Sequence, residues 1–435
     1  MSLTAVTTRS GALSGLDMGS YAVFKGVPYA APPVGPLRWK RPQPCQPWEG
    51  VRPATEFAPG CPQTPHDPDS FYYKEFYRGD HSPKSEDCLY LNVYTPAKAP
   101  GEKLPVLFWV HGGAFTHGWS NEIEFDGAPF CAQGVILVSI NYRVGLFGFL
   151  AHPLLSAENE EGISGNYGLY DQAAALRWVH DNIAAFGGDP ENVTIFGQSA
   201  GAMSIQILCG SPLCKGLFQG AILQSGAGLN RSVPMQETAA QNAAYLDSQG
   251  FDTLEKLRAL PADALVELMQ QAGGGRPLAC CPVLDGLMIP DTFENILSQG
   301  LLADVHYMIG STVDELGEGF AEAVFRGAAT WAENQLAQNR EPAWVYYFDR
   351  IMPGDGAGAF HSAELWYIFG TYEKCWRPLT EQDAALSRQI SAYWANFAKT
   401  GDPNGPGLPN WTPYTAQSPQ RLRLGFDIRM DNVTR

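Results

Sequence analysis

Apolar runs of five to seven residues alternate with longer stretches of helical spacing through the middle of the chain. Leu104 to Val110 and Val135 to Ile140 are continuous apolar segments rich in β-formers and read as buried strands. From Leu169 to Phe186, apolar residues recur at three- and four-residue intervals (Leu169, Ala173, Leu176, Val179, Ile183), which predicts a helix. Gly187-Gly188-Asp189-Pro190 stops it. Val193 to Phe196 then predicts a strand, Ala200 to Leu208 a helix and Gly220 to Gln224 another strand. Further strands are expected at Val305 to Ile309, Trp344 to Phe348 and Arg421 to Leu424, with a helix from about Gln382 to Lys399. Strands alternating with helices predict an α/β fold: a mostly parallel central sheet with helices on both faces. The stretch from about Gly228 to Leu302 is less regular and reads as a helical cap over that sheet.

Length alone would allow about three average domains for 435 residues. No Gly/Ser-rich linker, low-complexity tract or internal repeat divides the chain, so residues 1–435 are expected to form one unit, with cap insertions near 228–302 and 316–342. The hydrophobic content of 45% supports a large core, and the formal net charge of -16 is spread along the chain. A broadly negative field disfavours nucleic acid and anionic membranes as partners. No segment reaches the roughly eighteen apolar residues of a membrane span, and the N-terminus lacks a charged start followed by an apolar run. The expected location is cytoplasmic. Nine cysteines without a C-x-x-C pair argue against a disulfide framework and a structural zinc site. The sequons at Asn192, Asn230, Asn410 and Asn432 then carry no glycan.

The chemistry enters at Gly197-Gln198-Ser199-Ala200-Gly201, between a predicted strand and a predicted helix. This is the nucleophile-elbow pattern, in which glycines remove Cβ atoms that would strike the neighbouring strand and helix around a strained serine. In isolation the same five residues describe a glycine-bounded turn; the strand before and helix after favour catalysis. A serine hydroxyl needs a base, and the base needs an acid to orient it, in the chain order Ser, acid, His. His306 and His361 are the histidines that follow Ser199. His306 lies inside an apolar strand, whereas His361 follows the glycine-rich loop Gly354 to Gly358 and is the candidate base. Asp314 and Glu315 follow the strand Val305 to Ile309, and spacing does not choose between them. His111-Gly112-Gly113-Ala114-Phe115 ends another strand and is close to the loop that supplies oxyanion donors, which the N–H of Ala200 would complete.

Around these residues the sequence closely resembles the type B carboxylesterase family, the group that includes bacterial p-nitrobenzyl-type esterases and animal cholinesterases. Matching segments include Phe24 to Ala30, Pro32 to Trp39, Ser85 to Asn92, Asn141-Tyr142-Arg143, Gly168 to Gln172, Phe186 to Pro190, Trp394 to Phe397 and Gly401 to Asn404. The resemblance implies an α/β-hydrolase fold and a catalytic triad of Ser199, Glu315 and His361. It implies oxyanion donors at Gly113, Ala114 and Ala200, no cofactor or metal, and an Arg38–Glu86 ion pair of structural importance. Cys61 and Cys88 match positions bridged in secreted members and would stay thiols in a reducing cytosol.

Three departures bear on specificity. No tryptophan lies between Cys61 and Cys88, which disfavours choline esters; the stretch 316–342 is shorter than in relatives; and Leu316 stands where the family has glycine. The implied activity is hydrolysis of uncharged short- to medium-chain alkyl or aryl carboxylic esters through an acyl-enzyme on Ser199, with a small-molecule ester as the partner. An amidase or carbamate hydrolase with the same triad is an alternative, as are an interfacial lipase and a cholinesterase-like binding or adhesion protein. That last class typically loses the serine or the histidine, and both are present here.

Overall fold

The computed structural model describes residues 2–229, 233–271, 278–415 and 417–432; the sequon at Asn230 lies outside them. Among the described residues the main sheet has eleven strands. In chain order they are β1 (Leu16–Asp17), β2 (Ala22–Pro28), β3 (Tyr90–Thr95), β4 (Leu104–Val110), β5 (Ile136–Ile140), β6 (Gly188–Gln198), β7 (Gly220–Gln224), β8 (His306–Thr312), β9 (Trp344–Phe348), β10 (Gln420–Leu424) and β11 (Arg429–Asn432). Across the sheet the order is β11-β10-β9-β8-β7-β6-β4-β5-β3-β2-β1. From β10 to β5 all neighbours run parallel, and the outer strands are antiparallel.

The central strands are buried on both faces, as a parallel sheet covered by helices requires. Helix α1 (Tyr167–Asn182) leads through a short 3-10 turn, Ile183–Phe186, into Gly187, whose φ of 83° ends the helix in the left-handed region. Helix α2 (Ala200–Gly210) follows β6, α3 (Glu318–Ala337) joins β8 to β9, and α4 (Glu381–Thr400) precedes β10. Thr380 and Asp383 form a reciprocal capping box at the start of α4.

The order β6-β4-β5 sets the position of the site. After β4 the chain pairs β5 on one side and later places β6 on the other, so the connections leaving β4 and β6 diverge around one crevice. Such a switch point, at the carboxyl ends of parallel strands, is where open α/β sheets bind ligands. His111 to Phe115 and Ser199 both emerge there.

The segment between β7 and β8 contains helices Met235–Ser248, Leu254–Ala259, Ala262–Gln271 and Phe293–Ser298. Arg38 ties it to the N-terminal region. Its guanidinium donates to Glu86 at 2.7 and 2.5 Å and to the Leu260 carbonyl at 2.6 Å. On the other side of the crevice, buried Glu75 accepts from Arg377 Nε at 3.0 Å and from the indoles of Trp366 and Trp376 at 2.9 and 2.8 Å. This anchors the segment carrying Tyr72, Phe76 and Tyr77. The described residues contain no helix long and apolar enough to cross a membrane.

Candidate active site

Ser199 sits between β6 and α2 at φ 56° and ψ -125°, a strained conformation for a residue with a side chain. The flanking glycines explain how the turn is accommodated. A Cβ on Gly201 would lie 2.2 Å from the Val110 carbonyl oxygen, and one on Gly197 would lie 2.6 Å from the Gly201 carbonyl carbon. Both positions therefore exclude every residue but glycine, and β6, β4 and α2 can close around the serine. Its N–H donates to the Gln224 carbonyl at 2.8 Å, tying the turn to β7.

His361 is buried and follows the loop after β9. Its Nδ1 makes a short contact with Glu315 Oε2, and Glu315 Oε1 accepts from the Thr312 N–H at 3.1 Å. Of the two adjacent acids, Glu315 therefore faces the histidine. Asp314 does something else: its Oδ2 accepts from the Ala359 N–H at 2.7 Å, and its own N–H donates to the Ala359 carbonyl at 3.1 Å. It clamps the loop that carries His361. His306 lies exposed at the opposite end of β8 from this loop. His361 Nε2 faces the Gln198 side-chain amide at 3.2 Å, and His361, Gln198 and Ser199 line one cavity.

The loop after β4 is wound into the left-handed region at Gly113 (φ 97°), Ala114 (φ 54°) and Phe115 (φ 64°). A Cβ at Gly113 would strike the His117 carbonyl oxygen at 2.3 Å. The N–H groups of Gly113 and Ala114 take no acceptor among the described residues. Ala200 is the first residue of α2, so its N–H has no intrahelical partner and the positive end of the helix dipole lies beside Ser199. His111 stays within the scaffold: it stacks on Tyr142 at 4.2 Å, and burial lowers its pKa to about 4.

Glu364, three residues beyond His361, is fully buried and faces Gln224 Nε2 at 3.4 Å. Burial first, and then the charge of Glu315, raise its pKa to about 8. Near neutrality it is an uncharged acid beside the Glu315 carboxylate.

Two cavities meet at Ser199, and both are lined by Ala114, Ser199 and Leu316. One, of about 300 Å³, extends past His361 to Tyr77, His117, Glu122, Glu124 and Phe125. The other, of about 390 Å³, is lined mainly by apolar groups, including Met203, Ile207, Leu229, Pro282 and Phe320. Leu316, half-exposed, forms a shared wall between them. Gln198, Glu122 and Glu124 escape the sequence analysis. Gln198 is the variable position of the elbow, and Glu122-Ile123-Glu124 reads as an ordinary acidic loop. An alternating acid pair beginning nine residues beyond Gly113 was the available signal.

A crevice at the switch point of a parallel sheet, holding a serine on a strand-to-helix elbow and a His–Glu pair from later loops, defines the α/β-hydrolases. Comparison with known proteins narrows the class. The carboxylesterase family matches residues 2–330 and 313–435. The chain is 37% identical over 486 residues to the para-nitrobenzyl esterase of Bacillus subtilis (strain 168), covering 98% of this chain and 96% of that one. It is 32% identical to the fumonisin B1 esterase of Sphingopyxis macrogoltabida, over 93% of this chain and 83% of that one. A solved PNB esterase superposes with a TM-score of 0.86 at 34% identity, covering 99% of this chain and 97% of the other. A carboxylesterase of Geobacillus stearothermophilus gives 0.85 at 32% identity, covering 99% and 98%. The chain belongs to the carboxylesterase family and is a carboxylic ester hydrolase.

Proposed function

We propose that the chain hydrolyses small alkyl and aryl carboxylic esters through an acyl-enzyme on Ser199, with His361 as base and Glu315 as its orienting acid. The observation that carries this is the buried His361–Glu315 pair, held on the same cavity as a serine in elbow geometry. With Nδ1–H directed at Glu315, the lone pair of the imidazole is on Nε2, the nitrogen that must take the Ser199 proton. Oγ then attacks the ester carbonyl. The N–H groups of Gly113, Ala114 and Ala200 stabilise the oxyanion, each contributing roughly 3 kcal/mol. His361 returns the proton to the departing alcohol, and water attacks the acyl-enzyme by the same route.

The proton path gives the two cavities different roles. The leaving oxygen must face His361, and His361 lines the 300 Å³ cavity, so that side takes the alcohol. The 390 Å³ cavity beyond Ala200 and Phe320 takes the acyl chain, and its apolar walls suit short to medium alkyl groups. Leu229, Pro282, Leu316 and Phe320 give the segments 228–302 and 316–342 the role of a cap on a single catalytic unit. A cytoplasmic location belongs to this reading, and its reducing conditions would keep Cys61 and Cys88 as thiols.

Hydrolysis of p-nitrophenyl esters from acetate to decanoate by wild type and Ser199→Ala tests the reading. Turnover of the short esters, lost by about 10⁴-fold or more in the folded variant, is expected. Equal rates in the two proteins would refute it.

A further inference from the structure

The alcohol-side cavity ends in an unusual polar group. Glu122 and Glu124 are both buried, line the cavity, and hydrogen-bond to each other. Glu122 is otherwise occupied, since its Oε1 accepts from the Trp119 N–H at 2.9 Å and its carboxyl also engages the Tyr77 hydroxyl. Glu124 is only half matched: its carboxyl engages its own backbone N–H and Glu122, while its buried Oε2 meets no donor among the described residues. His66 also lines the cavity; it stacks on Tyr77 at 3.7 Å and leaves its Nε2 without a partner. A buried acceptor without a donor costs about 1–3 kcal/mol, so the arrangement is one a ligand can complete.

The charges surrounding this corner indicate what that ligand carries. Burial pushes both carboxyls up, Glu122 to about 7 and Glu124 further, so two acids set side by side in this wall favour a neighbour that brings a donor and a positive charge. His66 and His117 are both lowered by burial and are uncharged near neutrality. The nearby cation Lys84 pairs with Asp80 at 3.5 Å and covers the Trp119 ring, and Glu75 is neutralised by Arg377. The ring of Phe125 and that of Tyr77 flank the pair on the same cavity. An N–H-bearing cation supplies the donor that Glu124 Oε2 lacks and suits the neighbouring acid pair, and aromatic faces add to its binding.

We propose that Glu124, with Glu122, forms a recognition subsite for a protonated amine on the alcohol portion of the ester. The proposal rests on the esterase reading and on the assignment of this cavity to the alcohol. It sharpens the expectation of uncharged esters: the acyl side is apolar, whereas the alcohol side is built for a donor. A quaternary ammonium, having no N–H, fills the position without satisfying Glu124.

The test compares four acetates at pH 7.5: 1-methylpiperidin-4-yl, its N,N-dimethyl quaternary analogue, cyclohexyl and 4-hydroxycyclohexyl. Wild type is expected to favour the tertiary amine over cyclohexyl by at least about tenfold in kcat/KM, mainly through KM, with the quaternary and hydroxyl esters between. Glu124→Gln should bring the amine-to-cyclohexyl ratio close to one. Should that variant not fold, inhibition of the wild type by 1-methylpiperidin-4-ol against cyclohexanol gives the same comparison, with about tenfold tighter inhibition by the amine expected. Equal constants for amine and cyclohexyl compounds, or a hydroxyl ester as good as the amine, overturn the subsite while leaving the esterase intact. Inertness toward all four esters and p-nitrophenyl acetate overturns the esterase reading itself.

Discussion

Replacing Glu315 by Gln preserves the shape of the pair but presents an amide N–H that forces the imidazole proton from Nδ1 to Nε2. The base is then in the wrong tautomer, and kcat should fall by roughly 10⁴-fold with little change in KM. An unchanged kcat would remove Glu315 from the mechanism. Glu364 predicts a pH effect on stability instead. Its folded pKa of about 8 lies above the ordinary 4.5 of a glutamic acid. Between those values the folded protein keeps a proton that the unfolded chain releases, so stability falls as pH rises through that window and levels off above it. The effect is on the order of a few kcal/mol. Thermal unfolding of Glu364→Gln should therefore show a smaller loss between pH 5.5 and 8.5 than wild type; an identical slope would contradict the assignment. At this scale motif and chain order single out Ser199 and His361 as candidates. Preferring Glu315 to Asp314 as the proposed acid took the family resemblance, and the commitment of Asp314 to the Ala359 backbone supports that reading. The acid pair Glu122 and Glu124 stayed hidden because burial, not composition, makes those carboxyls unusual.

The elbow is the element on which the site depends. Gly201→Ala would place a methyl group 2.2 Å from the Val110 carbonyl oxygen. Separating β4 from α2 should cost on the order of 3 kcal/mol or more, read as a lowered midpoint in thermal unfolding; an unchanged midpoint would mean the elbow relaxes freely. Strands with continuous apolar runs were legible, because burial on both faces leaves no polar position to blur them. β4 and β9 coincide with the expected runs, Leu104 to Val110 and Trp344 to Phe348. β8 was read short: it continues through Gly310-Ser311-Thr312, small and polar residues that read as loop but pair with β9. β6 begins earlier than expected, at Gly188, because Gly188 already pairs with Leu104 before the ladder breaks and resumes at Val193 opposite Val106. The stretch 316–342, expected as a shortened cap insertion, is mostly occupied by α3, which packs on β8 and β9.

On the scale of the whole molecule, the α/β class followed from alternation alone, whereas the antiparallel strands β1 to β3 did not, since their pairing depends on contacts distant in the chain. Nothing local in the sequence pairs Glu75 with Arg377, 302 residues away, although that contact anchors the segment whose Tyr72, Phe76 and Tyr77 line the 300 Å³ cavity. The central claim concerns the entire assembly of elbow, His361 loop and oxyanion loop, for it requires a covalent intermediate on one atom. Acid-quenched mass spectrometry during turnover of p-nitrophenyl butyrate reads that intermediate directly. The account predicts a butyryl adduct on the peptide containing Ser199, absent from Ser199→Ala. An adduct on another residue, or undiminished turnover by the variant, would contradict it.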